Sequence, residues 1–196
     1  MILSRKDYLE YIEADRKNYW RLTQKERYLK TRITSTPSSD QSKIWAYIKT
    51  MRKVELLLNR NSIFSHFIAA FYMHRLRVLS RITGFQIRPN SIGKGLTIWH
   101  WGPIIIGRAK LCNYCTLHSG IVIGGKSTND QRPIIGDYVT IFSGVNISGS
   151  IEIGDDVIIA PNSVVTKSIP SHSIVAGVPA KIIKTRDNMN SSWVRV

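Results

Sequence analysis

The sequence predicts a mainly β protein, a parallel β-helix preceded by an α-helical N-terminal region, and three observations carry that prediction. Aliphatic residues recur at strict six-residue intervals: Ile135, Ile141, Ile147, Ile153, Ile159 and Val165, and before them Ile92, Ile98 and Ile104, then Leu111, Leu117 and Ile123. The fourth residue after most of these is small or aliphatic (Leu96, Gly102, Cys115, Ile121, Val139, Val145, Ile151, Val157, Ser163). Before residue 85 or so the apolar residues follow a helical period instead. A six-residue unit supplies one short flat strand and one corner, and three units close a coil of about 18 residues with aliphatic side chains stacked down its axis.

The elements follow in order. Ser4 with Asp7 marks a helix start, the acidic residue being favourable in the first turn, and Leu9, Ile12 and Tyr19 continue at helical spacing. Residues 33–42 are a linker by composition. A second helix runs from about Ile44 to Asn59, with Ile44, Ile48, Met51 and Leu58 on one side and Glu55 out of place among them. A third runs from about Ser62 to Thr83 and stops at Gly84, a natural C-cap. Its Phe64, Phe67, Phe71, Val78 and Leu79 share a face, while Arg75, Arg77 and Arg81 supply charge. Such a helix either lies on a membrane surface or packs on the body of the protein; packing is the expectation. Residues 92–169 then supply about four coils, with Gly93, Gly107, Gly136 and Gly154 near the corners. The register breaks twice: between Ile104 and Leu111, where one extra residue bulges, and over residues 124–134, read as a loop ejected from the coil. The division is therefore 1–85 helical, 86–185 β-helix and 186–196 tail.

Composition excludes several classes. With 196 residues, 43% hydrophobic and 21% charged, the chain buries a real core and is not wholly disordered. The longest apolar run, Ile63 to Met73, is too short to span a bilayer. The N-terminus turns polar at once, so no signal peptide is read and a cytoplasmic protein is expected. The formal charge of +15 is uneven: residues 1–91 hold 18 Lys and Arg against 7 Asp and Glu, and residues 92–196 hold 10 against 6. Such a field attracts anionic partners without choosing among them. Cys112 and Cys115 have a C-x-x-C spacing, but a zinc site needs a second pair and Cys115 occupies an interior repeat position, so both read as packing residues.

Ala176-Gly177-Val178-Pro179-Ala180 after the last coil, together with the repeat, resembles the hexapeptide-repeat acyltransferases. Residues 95–107, Gly124-Gly125-Lys126 and Asp130-Gln131-Arg132-Pro133 resemble the serine acetyltransferase branch. Ile98-Trp99-His100-Trp101-Gly102, Leu117-His118 and residues 45–59 resemble a subgroup found with capsule and exopolysaccharide genes. The resemblance implies a left-handed β-helix, a homotrimer, and acetyl-CoA bound between neighbouring coils, with no metal and no nucleic acid. It makes the leading reading an O-acetyltransferase acting on a sugar of a surface polysaccharide or its lipid-linked precursor. A peripheral contact with the inner face of the membrane would accompany that acceptor. Serine O-acetyltransferase of cysteine synthesis is the alternative, and a non-catalytic basic scaffold a further one. A zinc hydrase on the same fold takes three histidines, and only His100 and His118 lie in the coils.

Acetyl transfer to a hydroxyl needs a base, a donor to the developing oxyanion and a positioned thioester. His100 matches the family's catalytic histidine, and His118, one coil on, joins it as a candidate. Gly124, Gly125, Ser143 and Pro161 match positions along acetyl-CoA, and Lys167, Lys181 and Lys184 are candidates for its phosphates or plain surface charge. Trp99 and Trp101 flank His100, and strand alternation puts both opposite it or at the adjacent corner. They suit a sugar ring or fill a subunit interface; with Arg132 they complete the candidate acceptor set. Two departures weigh against serine. Gln86 stands where the serine enzymes pair an Asp with the catalytic His, and Arg132 where they carry a His.

Overall fold

The computed structural model describes residues 1–23, 40–125 and 132–196. Three helices come first: α1 (Arg5–Thr23), α2 (Asp40–Leu58) and α3 (Ile63–Thr83). The start of α1 is a reciprocal cap. The Asp7 N–H donates to Ser4 Oγ at 3.1 Å, and Asp7 Oδ2 accepts from the Ser4 and Leu3 N–H groups at 2.9 Å. Residues 33–39 of the expected linker lie outside the described residues, while Asp40 to Ser42 are already helix. At the other end Gly84 caps α3 in the left-handed region (φ 80°), its N–H reaching the Ser80 carbonyl at 2.8 Å.

Short strands follow, and the chain visits three sheets in the same cyclic order. The first face carries residues 85–87, 104–106, 121–124, 146–148 and 164–165. The second carries 110–111, 134–135 and 152–153, extended by isolated bridges at Ile92 and Ile169. The third carries 97–98, 116–117, 140–141, 158–159 and 173–177. All pairings up to residue 177 are parallel. Strand 180–185 then folds back antiparallel on 173–177 through a cis Val178–Pro179 bond. All twelve six-residue aliphatic positions are buried. Their fourth-residue companions are buried too, apart from Gly102, which is half-buried. Each parallel sheet turns one side to the axis, so a period of six with a second contact at the fourth residue fills the interior. Cys115 is one of these interior residues, and burial pushes its thiol up to about 12.

The helices dock on the first coils and share their core: Ile44, Tyr47, Ile48, Met51 and Val54 belong to one cluster with the coil residues. Tyr47 meets Phe85 edge to face at 5.1 Å. Glu55, out of place by pattern, is buried against Arg52 and accepts the Asn90 N–H at 2.8 Å. The expectation for α3 is corrected. Its inward residues are Ser65, Ala69, Leu76 and Thr83, whereas Phe64, Phe67 and Phe71 are 77%, 73% and 66% exposed. This helix is apolar on two sides, and α2 and the first face take the side opposite the phenylalanines.

The tail is held at Asp156, whose φ of 57° suits Asp or Asn. Burial raises its pKa, but hydrogen bonds from Arg186 and His172 outweigh that and hold the carboxyl below the usual range. Arg186 in turn lies 4.2 Å from the Trp193 ring centroid. Because the folded pKa is depressed, this carboxylate stabilises the fold above the unfolded carboxylate range and the stabilisation is lost as pH falls through the lowered value. Asp156→Asn should therefore lose about 1–3 kcal/mol at pH 7. The gap to the parent protein should close toward pH 3, which thermal melts across pH read directly.

Candidate active site

The site is built at the edge where the third face turns into the first. On the third face Thr97 and Ile98 pair with Thr116 and Leu117; on the first, Ile106 pairs with Ile123. The corner therefore spans eight residues between Ile98 and Ile106 but six between Leu117 and Ile123. From Ile106 to Leu111 is then only five, Leu111 pairing with Ile135 on the second face. This relocates the register break. Two residues are inserted ahead of the strand, at the His100 corner, and one is missing after it. Ile104 fills the inner position that Ile121 fills in the next coil, not that of Ile123. A longer corner bows outward, and His100 is exposed upon it.

The bow is anchored where it re-enters the coil. Gly102 (φ 138°) donates its N–H to the Thr83 carbonyl at 2.9 Å, and the Ile104 N–H donates to Gly84 at 3.2 Å. A Cβ on Gly84 would lie 2.9 Å from the Gly102 carbonyl carbon, so glycine is required by position as well as by φ. On the other side the Gln41 amide of α2 donates to the Trp99 carbonyl at 2.7 Å.

His118 lies one coil away, its ring centroid 6.5 Å from that of His100. It is half-buried in a column of rings, with Phe142 stacked at 4.7 Å and Trp99 at 6.4 Å. Trp99, His118 and Phe142 each follow an aliphatic strand residue, so the repeat itself aligns them. Burial, with a smaller contribution from His100, holds the His118 imidazole below the usual histidine range. At neutral pH it is neutral and can accept a hydrogen bond. Among the described residues no hydrogen bond engages the His100 ring. None joins it to Gln86, which lies exposed on strand 85–87 beside Ile105.

The other candidates divide between edges. Ser143 and Pro161 lie on the histidine edge, in the next two coils. Gly124, Gly125, Arg132 and Lys167 lie where the first face turns into the second, at the opposite ends of the same strands. A Cβ on Gly124 would meet nothing within 4 Å, so that border is open beside the strand. Lys181 and Lys184 are exposed on the antiparallel strand. Trp99 stacks on His118, and Trp101, 37% exposed, lies beneath the Lys43 ammonium at 4.5 Å. Phe142, Gln41 and Lys43 belong to this edge and were not singled out by sequence. Phe142 was legible as the ring after Ile141; the two α2 residues carry no local signal.

Residues 132–167 match the family described as bacterial transferase hexapeptide (six repeats). A serine acetyltransferase of Staphylococcus aureus is 34% identical over 152 residues, covering 69% of this chain and 70% of that protein. Serine acetyltransferase 2 of Arabidopsis thaliana is 36% identical over 118 residues, which are 58% of this chain but only 36% of that longer protein. The solved Neisseria gonorrhoeae serine acetyltransferase in complex with serine superposes with a TM-score of 0.68, at 27% identity, over 92% of this chain and 70% of that one. The Brucella abortus enzyme in complex with coenzyme A does so with a TM-score of 0.69, at 26% identity, over 91% and 68%. Coil, closing hairpin and histidine edge thus define an acyltransferase of the hexapeptide-repeat superfamily. Within it, the chain belongs to the serine acetyltransferase branch.

These findings correct the leading sequence reading. The relatives and solved structures just named are serine acetyltransferases, which favours the alternative over polysaccharide acetylation. The features that pointed to a glycan were the flanking tryptophans and the basic charge. In the structure Trp99 stacks on His118 and Trp101 lies under Lys43, so both rings are engaged by the protein's own side chains. The membrane contact proposed with that acceptor loses its ground as well. Among the described residues no helix is long and apolar enough to cross a membrane.

Proposed function

We propose that this protein transfers the acetyl group of acetyl-CoA to the hydroxyl of L-serine. The observation that carries the reading is the exposed His100 on its lengthened corner, 6.5 Å from His118, in a chain of the serine acetyltransferase branch. His100 takes the proton from the serine hydroxyl as that oxygen attacks the thioester carbonyl, and returns it to the departing thiolate. His118, neutral and fixed by its ring column, orients the acceptor. The N–H groups at Gly124 and Gly125 face the developing oxyanion, Ser143 and Pro161 line the pantetheine arm, and Lys167 and Lys181 lie toward the phosphates.

One chain holds these groups on two separate edges. We therefore place the site between copies in a homotrimer of left-handed coils, the histidine edge of one facing the Gly124–Gly125 edge of the next. Arg132 of that second edge pairs with the acceptor carboxylate, which offsets the loss of the His found there in the serine enzymes. The reading places the enzyme in the cytoplasm, with acetyl-CoA as its donor and without a metal. The test is free-thiol release from acetyl-CoA by the purified chain. Release that depends on L-serine, with O-acetylserine identified by mass, is expected. Release supported by L-homoserine or L-threonine but not by L-serine, or by no hydroxy amino acid, would overturn it.

A further inference from the structure

Helix α3 packs through one side and leaves the other bare. Its buried residues are Ser65, Ala69, Leu76 and Thr83. On the opposite side Ile63, Phe64, Phe67, Ile68 and Phe71 follow one another at helical spacing, and all are exposed. Toward the C-terminus Val78 and Ile82 continue this side, exposed as well, with His74, Arg75 and Arg81 standing exposed among them. The apolar stretch from Ile63 to Phe71 is about 12 Å long and lies about 20–30 Å along the helix from Gly84. It is therefore remote from the His100 corner, which Gly84 anchors, and belongs to neither of the coil edges proposed to meet between copies.

An exposed apolar stripe of this kind marks a contact surface, and the charge pattern selects what covers it. From Arg60 to Thr83 the chain carries four arginines and no Asp or Glu. Two copies of this face laid together would bring Arg75 and Arg81 into the contact with no carboxylate to pair them, which is costly. A bilayer with acidic headgroups complements both parts. Phenylalanine and isoleucine enter the acyl boundary, while the arginine stems lie along it and carry their guanidinium groups to phosphate oxygens. The net charge, concentrated in residues 1–91, draws the same part of the chain to an anionic surface. We infer that the outer side of α3 rests on an anionic lipid surface, with Phe64, Phe67 and Phe71 in the acyl boundary and Arg75 and Arg81 at the headgroups. A contact of this kind lies on the membrane and needs no helix that crosses it. Its ground is the helix and not a glycan acceptor, and it rests neither on serine nor on acetyl transfer.

The test is flotation of the full chain with vesicles of equal parts phosphatidylcholine and phosphatidylglycerol, and with vesicles of phosphatidylcholine alone. The parent is compared with Phe64→Gln/Phe67→Gln, with Arg75→Gln/Arg81→Gln, and with a control that removes two exposed cations elsewhere, Lys110→Gln/Arg195→Gln. All of these side chains are exposed, so melting temperatures should match and a loss of binding reads the surface and not the fold. The parent should float with the mixed vesicles and not with the neutral ones. The phenylalanine variant keeps the net charge and should partition at least roughly tenfold less. The arginine variant should lose at least roughly tenfold as well, and the control should stay close to the parent. No flotation of the parent with mixed vesicles would overturn the inference, and so would full binding by the phenylalanine variant. An equal loss in the arginine variant and the control would also overturn it, showing attraction by net charge alone. Sedimentation without lipid covers the remaining occupant: a larger assembly that the phenylalanine variant breaks down, with no vesicle binding, would assign the face to a second copy and overturn the inference too.

Discussion

Replacing His100 with Ala should slow acetyl transfer by about two to four orders of magnitude, the usual contribution of a positioned general base. Affinity for CoA should be retained, because the proposed contacts to CoA come from other residues. The corner should also survive the change, since it is held through backbone groups of Thr83, Gly84, Gly102 and Ile104 and through Gln41, none of which uses the imidazole. Single-turnover rates with acetyl-CoA and L-serine, beside a direct CoA titration, separate the two quantities. Near-parental turnover would remove His100 from the role of base. His118→Gln, a companion variant, keeps a polar group in the ring column but alters its acid–base chemistry. If His118 only orients the acceptor, this variant should raise the KM for serine more than it lowers kcat; an equal collapse of kcat would make His118 the base instead.

The largest stability effect should come from Arg52→Met, a loss of about 3–5 kcal/mol. The guanidinium is fully buried between α2, α1 and the first coil. It donates to Asp15 Oδ2 at 2.9 Å, to Glu55 Oε2 at 3.1 Å, and to the Ile92 and Gly93 carbonyls at 2.8 and 2.5 Å. Asp15 also accepts the Leu96 N–H at 2.8 Å. Methionine fills much of the volume but leaves two carboxylates and two carbonyls without their donor. The melting temperature should fall by roughly 6–20 °C at matched protein concentration. A pH signature identifies the cause. Burial already holds the Asp15 pKa above the usual range, and loss of Arg52 raises it further. A carboxyl with a raised folded pKa binds its proton more tightly folded than unfolded, so the variant should regain stability as pH drops from 8 to 5. A deficit unchanged over that range would mean that lost packing, and not stranded charge, sets the cost.

Much of the coil was legible because its period is a direct consequence of its geometry. Each of the three faces turns one side to the axis and takes about six residues of chain, so the aliphatic positions recur by sixes within each register, and every one of them is buried. Caps are local too: Ser4 with Asp7, and Gly84, depend on a few neighbouring residues and were readable for that reason. The histidine corner was half legible. The motif marks His100, but the count placed the extra residue after Ile104, because Ile104, Ile105 and Ile106 are identical side chains and only strand pairing shows which one faces the axis of the next coil. Helix α3 fails for a related reason. A helix apolar on two sides does not say which side it will bury, and the choice falls to the shape of α2 and the first face.

By itself, then, the sequence determined the repeat, its interior, the helical region ahead of it and the branch of acyltransferases to which the chain belongs. The repeat, its interior and the helical region rest on short-range spacing, which a linear pattern records in full, and the branch rests on the resemblance of local motifs. The tertiary structure alone decided the rest. It stacked Trp99, His118 and Phe142 from successive coils and joined Asp15, Arg52 and Glu55 across helices. The stacked rings meet because each turn of the coil returns the chain to the same edge about 5 Å further along. Which side chains then stand together depends on the exact length of every corner between them.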